Sequence, residues 1–152
     1  MDKNYSDTIE NLLTRPYCII DILPCQVPAN KGGQYFKVEH YFSKPANKSF
    51  LCRKFVHLLL KLNCYYDYLV CLNNNEECLN NPDPELLENR ITSCMSTQNT
   101  EIQMLYVLIP ETNSMIVINQ DDIYKTLYNP TPHLFQFIRQ LAEAEGLFVW
   151  EE

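Results

Sequence analysis

The side chains able to do chemistry in this 152-residue chain are seven cysteines, three histidines and a few paired carboxylates. A cysteine nucleophile needs a base within hydrogen-bond reach. Cys52 and His57 are the nearest pair in sequence, but five residues of helix turn through about 500°, which leaves the two on faces about 140° apart. His40 and His133 could meet a cysteine only through tertiary contact. Cys52 precedes Arg53, whose charge could favour a thiolate, so it is the first candidate for a fast-reacting thiol. Structural zinc takes converging thiolates or imidazoles, commonly from CxxC pairs, and no two cysteines here are closer than seven positions. Cys64, Cys71 and Cys78 recur every seventh residue, yet along a strand an odd separation sends side chains to opposite faces. No metal site is expected. The three glycines, Gly32, Gly33 and Gly146, cannot write a phosphate loop or a dinucleotide fingerprint, and no serine sits in a GxSxG context, so no cofactor is expected.

The carboxylate pairs have ordinary settings. Asp121 and Asp122 fall in a turn between two strands, where Asp side chains bond the local backbone, and Glu143 and Glu145 are read onto the outer face of the last helix. Charge departs from the ordinary. Residues 31–61 hold seven basic side chains and one acidic one, Glu39, a local charge of +6, whereas residues 67–152 carry −11 in a chain of net charge −7. Such polarity steers a charged partner, although a solvated helix face beside acidic loops reads the same way. The candidate partner surface is Arg53, Lys54, His57 and Lys61 on one side and Asp121, Asp122, Glu143 and Glu145 on the other. The ten tyrosines and fifteen asparagines are read as compositional bias and not as a site.

The elements that must position these groups follow from periodicity and punctuation. Ser6 can cap a short helix carrying Ile9, Leu12 and Leu13, ended by Pro16. Residues 17–23 are almost continuously apolar, the pattern of a strand buried on both faces and central in its sheet. Residues 34–42 space Tyr35, Val38, Tyr41 and Phe42 as a helix. In residues 47–62, Leu51, Phe55, Leu58, Leu59 and Leu62 form an apolar stripe, with Arg53, Lys54, His57 and Lys61 on another face. A strand alternates through Tyr66, Tyr68, Val70 and Leu72, and residues 73–84 read largely as one polar loop. Asp83 and Pro84 open a helix with Leu86, Leu87, Ile91 and Cys94 inward. Residues 103–109, 115–119 and 123–128 form an antiparallel meander. Thr131 and Pro132 begin a last helix with Leu134, Ile138, Leu141 and Ala142 inward, Gly146 caps it, and residues 147–150 close the chain as a strand.

The order α-β-α-α-β-α-β-β-β-α-β implies a single α+β domain over residues 1–152. Its architecture is a two-layer sandwich, a largely antiparallel sheet of about five or six strands with helices packed on it. The core is expected to include Ile19, Ile20, Ile22, the stripe from Leu51 to Leu62, Ile91, Leu105, Val107, Ile116, Ile118, Leu134, Ile138 and Leu141.

The odd number of cysteines, mostly inside apolar segments, implies seven free thiols, with Cys18, Cys64, Cys71 and Cys94 buried. The polar, acidic start lacks the basic and apolar stretches of a secretory signal. The longest apolar run, residues 55–62, contains His57 and Lys61 and falls far short of the roughly 20 residues that span a bilayer. A cytoplasmic protein without membrane contact is therefore expected. These features favour a non-enzymatic protein-binding module, of the inhibitor or immunity type, whose acidic C-terminal half meets a basic protein partner. The alternatives are an enzyme whose site assembles from dispersed residues, and nucleic-acid binding through the basic aromatic segment 31–61. The overall acidity argues against nucleic acid.

Overall fold

Proline and capping side chains start the later helices where the sequence places them. Asp83 accepts a hydrogen bond from the Leu86 N–H (3.0 Å), with Pro84 in the first turn, and a helix runs Pro84–Cys94. The Thr131 hydroxyl accepts one from the Leu134 N–H (3.1 Å), and a second helix runs Pro132–Ala144. That helix ends in a Schellman motif: Gly146 takes φ +76°, its N–H bonds the Glu143 carbonyl, and the Leu147 N–H bonds the Ala142 carbonyl (2.8 Å).

The computed structural model describes residues 5–30, 32–73, 77–96, 103–120 and 123–151. The elements are α1 (Ser6–Leu12), β1 (Tyr17–Asp21), α2 (Tyr35–Ser43), α3 (Pro45–Asn63), β2 (Leu69–Leu72), β3 (Glu77–Asn80), α4 (Pro84–Cys94), β4 (Met104–Ile109), β5 (Ser114–Asn119), β6 (Lys125–Tyr128), α5 (Pro132–Ala144) and β7 (Phe148–Trp150). A 3-10 turn, Pro110–Thr112, joins β4 to β5. The strands form one antiparallel sheet in the order β3-β2-β4-β5-β6-β1-β7, and the fold is α+β as expected. No helix among the described residues is long and apolar enough to cross a membrane.

The stripe of α3 is the centre of the main core. Leu51, Phe55, Leu58, Leu59 and Leu62 are buried with Ile91 of α4, Leu134 and Ile138 of α5, and the inward residues of the sheet, Ile20, Val70, Leu105, Val107, Ile116, Ile118 and Leu127. Of the expected core, Ile22 and Leu141 are only half-buried. A smaller cluster lies on the opposite face of the sheet, where Ile9 and Leu12 of α1 pack on Tyr106, Leu108, Met115 and Val117.

Several expectations need correction. The sheet has seven strands because residues 77–80, read as loop, form β3 and pair with β2. An edge strand of four residues with polar positions carries little hydrophobic alternation to read. Its register sets Cys71 directly opposite Cys78, and the two form a disulfide, so five cysteines are free and not seven. Cys64 caps the end of α3 and is exposed instead of lying in a strand. β1 lies second from the sheet edge, between β6 and β7, and is not central. Tyr5, not Ser6, is the N-cap residue of α1, and its carbonyl accepts the Ile9 N–H. Leu13 is exposed.

Part of the asparagine excess is structural. Asn73, Asn81, Asn113 and Asn129 all adopt positive φ in connections at strand ends, a conformation asparagine tolerates better than other side-chain-bearing residues. Two of their amides tie these connections to neighbouring chain: Asn73 Oδ1 accepts the Met104 N–H at the start of β4 (3.0 Å), and Asn81 Oδ1 accepts the Tyr68 N–H just before β2 (3.0 Å).

Candidate functional site

Alternation along β1 sends Cys18 and Ile20 toward the helices and Tyr17, Ile19 and Asp21 to the opposite face of the sheet. On that opposite face α1 covers only the strands around β4 and β5. Over β6, β1 and β7 the covering is the connection after β1, including Cys25 and Val27, together with the first residues of α2. Between them and the sheet lies a cavity of about 610 Å³. That volume is in the range of small-molecule sites.

Aromatic rings dominate its walls: Tyr17 of β1, Tyr35 and Phe36 of α2, Tyr124 and Tyr128 beside and within β6, and Trp150 of β7. Tyr17 and Tyr128 meet with ring centroids 5.5 Å apart. Asp21, only 5 % exposed, contributes a carboxylate to the lining, and Cys25 a thiol. Among the described residues no lysine, arginine or histidine lines the cavity.

Burial raises the Asp21 pKa, outweighing the Ile22 and Leu23 N–H groups and the Trp150 indole, all of which favour the carboxylate. The Ile22 N–H donates to Asp21 Oδ1 at 2.7 Å. The Trp150 Nε1–H is buried and makes no hydrogen bond of normal geometry among the described residues, although it still favours the Asp21 carboxylate. The Tyr35 hydroxyl donates to Glu39 Oε2 (3.3 Å), and burial together with the Glu39 charge pushes its pKa up to about 12. The lining thus offers a buried carboxyl, hydroxyls that hold their protons, and ring faces.

The residues singled out by charge are placed differently. Glu145, at the end of α5, turns back onto α3 instead of outward: its carboxylate meets Lys61 Nζ at 2.5 Å and His57 Nδ1 at 3.4 Å. Lys54 Nζ donates to the Glu145 backbone carbonyl (2.9 Å). Cations at the C-terminal end of a helix also oppose the negative pole of its dipole. Burial would raise the Glu145 pKa, but the hydrogen bonds and charges of Lys61 and His57 together hold it below the ordinary value. Arg53 is exposed, and Glu143 pairs with Arg139 one turn away (3.3 Å). Asp121 and Asp122 lie outside the described residues.

The basic aromatic segment 31–61 is likewise divided. Lys31 lies outside the described residues, Lys48 donates to the Gln120 carbonyl (2.7 Å), Lys54 and Lys61 face Glu145, and Tyr35 turns into the cavity. Phe36 is 80 % exposed, and no residue of α2 is buried. Cys52 is buried and burial raises its pKa, the reverse of an activated thiol; burial also takes Cys18 to about 12 and Cys94 to about 11. Among the described residues no three His, Cys, Asp or Glu side chains group as a metal site requires.

The cavity was not visible in the sequence because its walls come from separate segments with no shared spacing. One signal was present: Asp21 is the lone carboxylate in a strand otherwise apolar enough to be buried on both faces. Compared with protein-family models, with curated proteins and with solved structures, the chain matches none.

Proposed function

We propose that the protein acts by binding and that its ligand seats in the aromatic cavity over β6, β1 and β7. One observation carries this reading: the 95 % buried residue Asp21 and six aromatic side chains line one concavity of about 610 Å³. Keeping a carboxyl out of water costs stability unless something compensates, and a concavity of this volume lined by rings is the form small-molecule sites take. The cost at Asp21 makes sense where a ligand supplies the missing interaction. Burial raises the pKa of both Asp21 and Tyr35, which keeps the Tyr35 hydroxyl as a hydrogen-bonding group and leaves a charge on Asp21 with solvation that a ligand can replace.

A thermal-shift screen with small aromatic and amine fragments tests the reading when run in parallel on the parent and on Thr126→Phe, which places a ring on the cavity wall. Fragments that raise the melting temperature of the parent and not of the blocked variant are expected. Equal responses in both proteins, or none in either, would contradict it.

A protein partner is the second reading, favoured by α2, which has no buried residue and exposes Phe36, Val38 and Tyr41. A pull-down that retains one partner at low salt and releases it as salt rises would support the charged-surface form of that reading. Retention of nothing at either salt would remove it.

A further inference from the structure

We infer that the cavity selects a small organic cation, an ammonium group carried on an apolar or aromatic body, with Asp21 as its counter-charge and the rings of Tyr17, Tyr35, Tyr128 and Trp150 as its walls. The inference rests on the reading that the cavity is the binding site and adds the class of ligand.

The lining itself argues for the sign of the charge. Its one charged side chain among the described residues is a carboxylate, and no described cation lines it to receive an anion. The faces of tyrosine and tryptophan rings are negative and attract cations, most strongly where water is excluded. Four such rings line the cavity from three strands and a helix: Tyr35 and Trp150 act on Asp21 directly, while Tyr17 and its partner Tyr128 lie four residues further along the strands, where they would meet the apolar body of a ligand whose cation sits at Asp21. The net charge of −7 adds a long-range field of the same sign. An anionic ligand would meet the opposite at each of these points. A neutral aromatic could stack on the rings but would add no positive charge beside the buried carboxylate, whose described partners are neutral N–H groups.

Burial also explains why the site is suited to discriminate. Burial raises the Asp21 pKa and the N–H groups that favour the carboxylate do not overcome that, so its ionised form is poorly solvated in the cavity. A cation beside it compensates that charge, an interaction that neither a neutral nor an anionic analogue can supply. The space of about 610 Å³ exceeds what an ammonium group alone fills, so the remainder calls for an attached ring or chain.

Trp150 is the only tryptophan in the chain and lines the cavity, so its fluorescence reports occupancy directly. The probes are benzylammonium, benzyltrimethylammonium, benzyl alcohol and benzoate, titrated at neutral pH into the full-length protein and into Asp21→Asn. Both ammonium probes are expected to change Trp150 emission saturably and to bind at least about tenfold more tightly than benzyl alcohol, with benzoate weakest. Asp21→Asn should lower ammonium affinity about tenfold while leaving benzyl alcohol within about twofold. The charge series on the parent protein decides the matter even if the variant does not fold. If benzyl alcohol or benzoate binds as well as the ammonium probes, the cation inference is overturned while the cavity remains a binding site. If no probe of any charge alters Trp150 emission, both the inference and the reading beneath it are overturned.

Discussion

Beneath α1, one face of the sheet presents Tyr106, Leu108, Met115 and Val117, and Ile9 and Leu12 close over them. A few strands away the same face presents Ile19, Asp21, Thr126, Tyr128 and Trp150, and a cavity of about 610 Å³ remains above them. The first half buries side chains that, apart from Tyr106, are aliphatic or sulfur-containing and gain from leaving water. The second half mixes one carboxyl, several hydroxyls and broad ring faces, groups that gain from a polar or charged occupant. The difference lies in side-chain chemistry and not in backbone, since both halves belong to one continuous antiparallel ladder.

The comparison breaks if the two halves respond alike to truncation. Phe55→Ala, on the helix-covered face, is expected to cost about 3 to 5 kcal/mol, and Leu12→Ala, in the sealed half, about 2 to 4 kcal/mol, both by urea unfolding. Thr126→Ala in the cavity wall should cost under about 1 kcal/mol. A loss at Thr126 as large as that at Leu12 would mean that the cavity half is packed core.

The disulfide sharpens the same contrast, because Cys71 packs in the cluster beneath α1. Unfolded without reductant, the protein should titrate five thiols, and with reductant all seven. Replacing Cys71 and Cys78 with serine should cost about 2 kcal/mol, as closing so short a loop implies. Seven thiols before reduction would show that the pair is open in solution.

Asp21 and Glu145 are expected to depend on pH with opposite signs. The folded pKa of Asp21 lies above the ordinary 3.8, so the folded state holds this proton more tightly than the unfolded chain. Ionised Asp21 therefore costs stability above its folded pKa, and the cost shrinks as pH falls through that value toward 3.8. Without ligand, Asp21→Asn should match or exceed the parent at neutral pH by up to about 1 kcal/mol, with the gap closing near pH 4. A large destabilisation at neutral pH would make Asp21 a structural anchor. Glu145 is the reverse: its pKa is lowered from 4.5, so its pairing with Lys61 and His57 stabilises the fold above that value and is lost as pH falls through the lowered one. Lys61→Ala should cost about 0.5 kcal/mol, the smallest effect in the series, because this pair is partly exposed. A cost above about 2 kcal/mol would show that the contact between α3 and α5 depends on it.

These contrasts also mark what the sequence made legible. α3, α4 and α5 announced themselves through apolar spacing, Asp83, Thr131 and Gly146, all local signals. β3 did not, because four edge residues with polar positions carry no clear alternation, and the Cys71–Cys78 pairing was hidden with it. Glu145 was read onto the outer face of α5, but its position past the last turn lets it fold back onto the basic face of α3. Local charge cannot report that approach. The cavity was least legible of all. Tyr17, Tyr35, Tyr128 and Trp150 line one cavity only because β1 pairs with both β6 and β7 and because the chain after β1 returns across them.

The most direct measurement follows the single indole N–H resonance of Trp150, together with the backbone amides, by heteronuclear NMR as benzylammonium is added. The account predicts a saturable shift of the indole signal, with the other shifts confined to β1, β6, β7, the segment after β1 and the start of α2. An unmoved indole signal, or shifts clustered on the outer surfaces of α3 and α5, would contradict it.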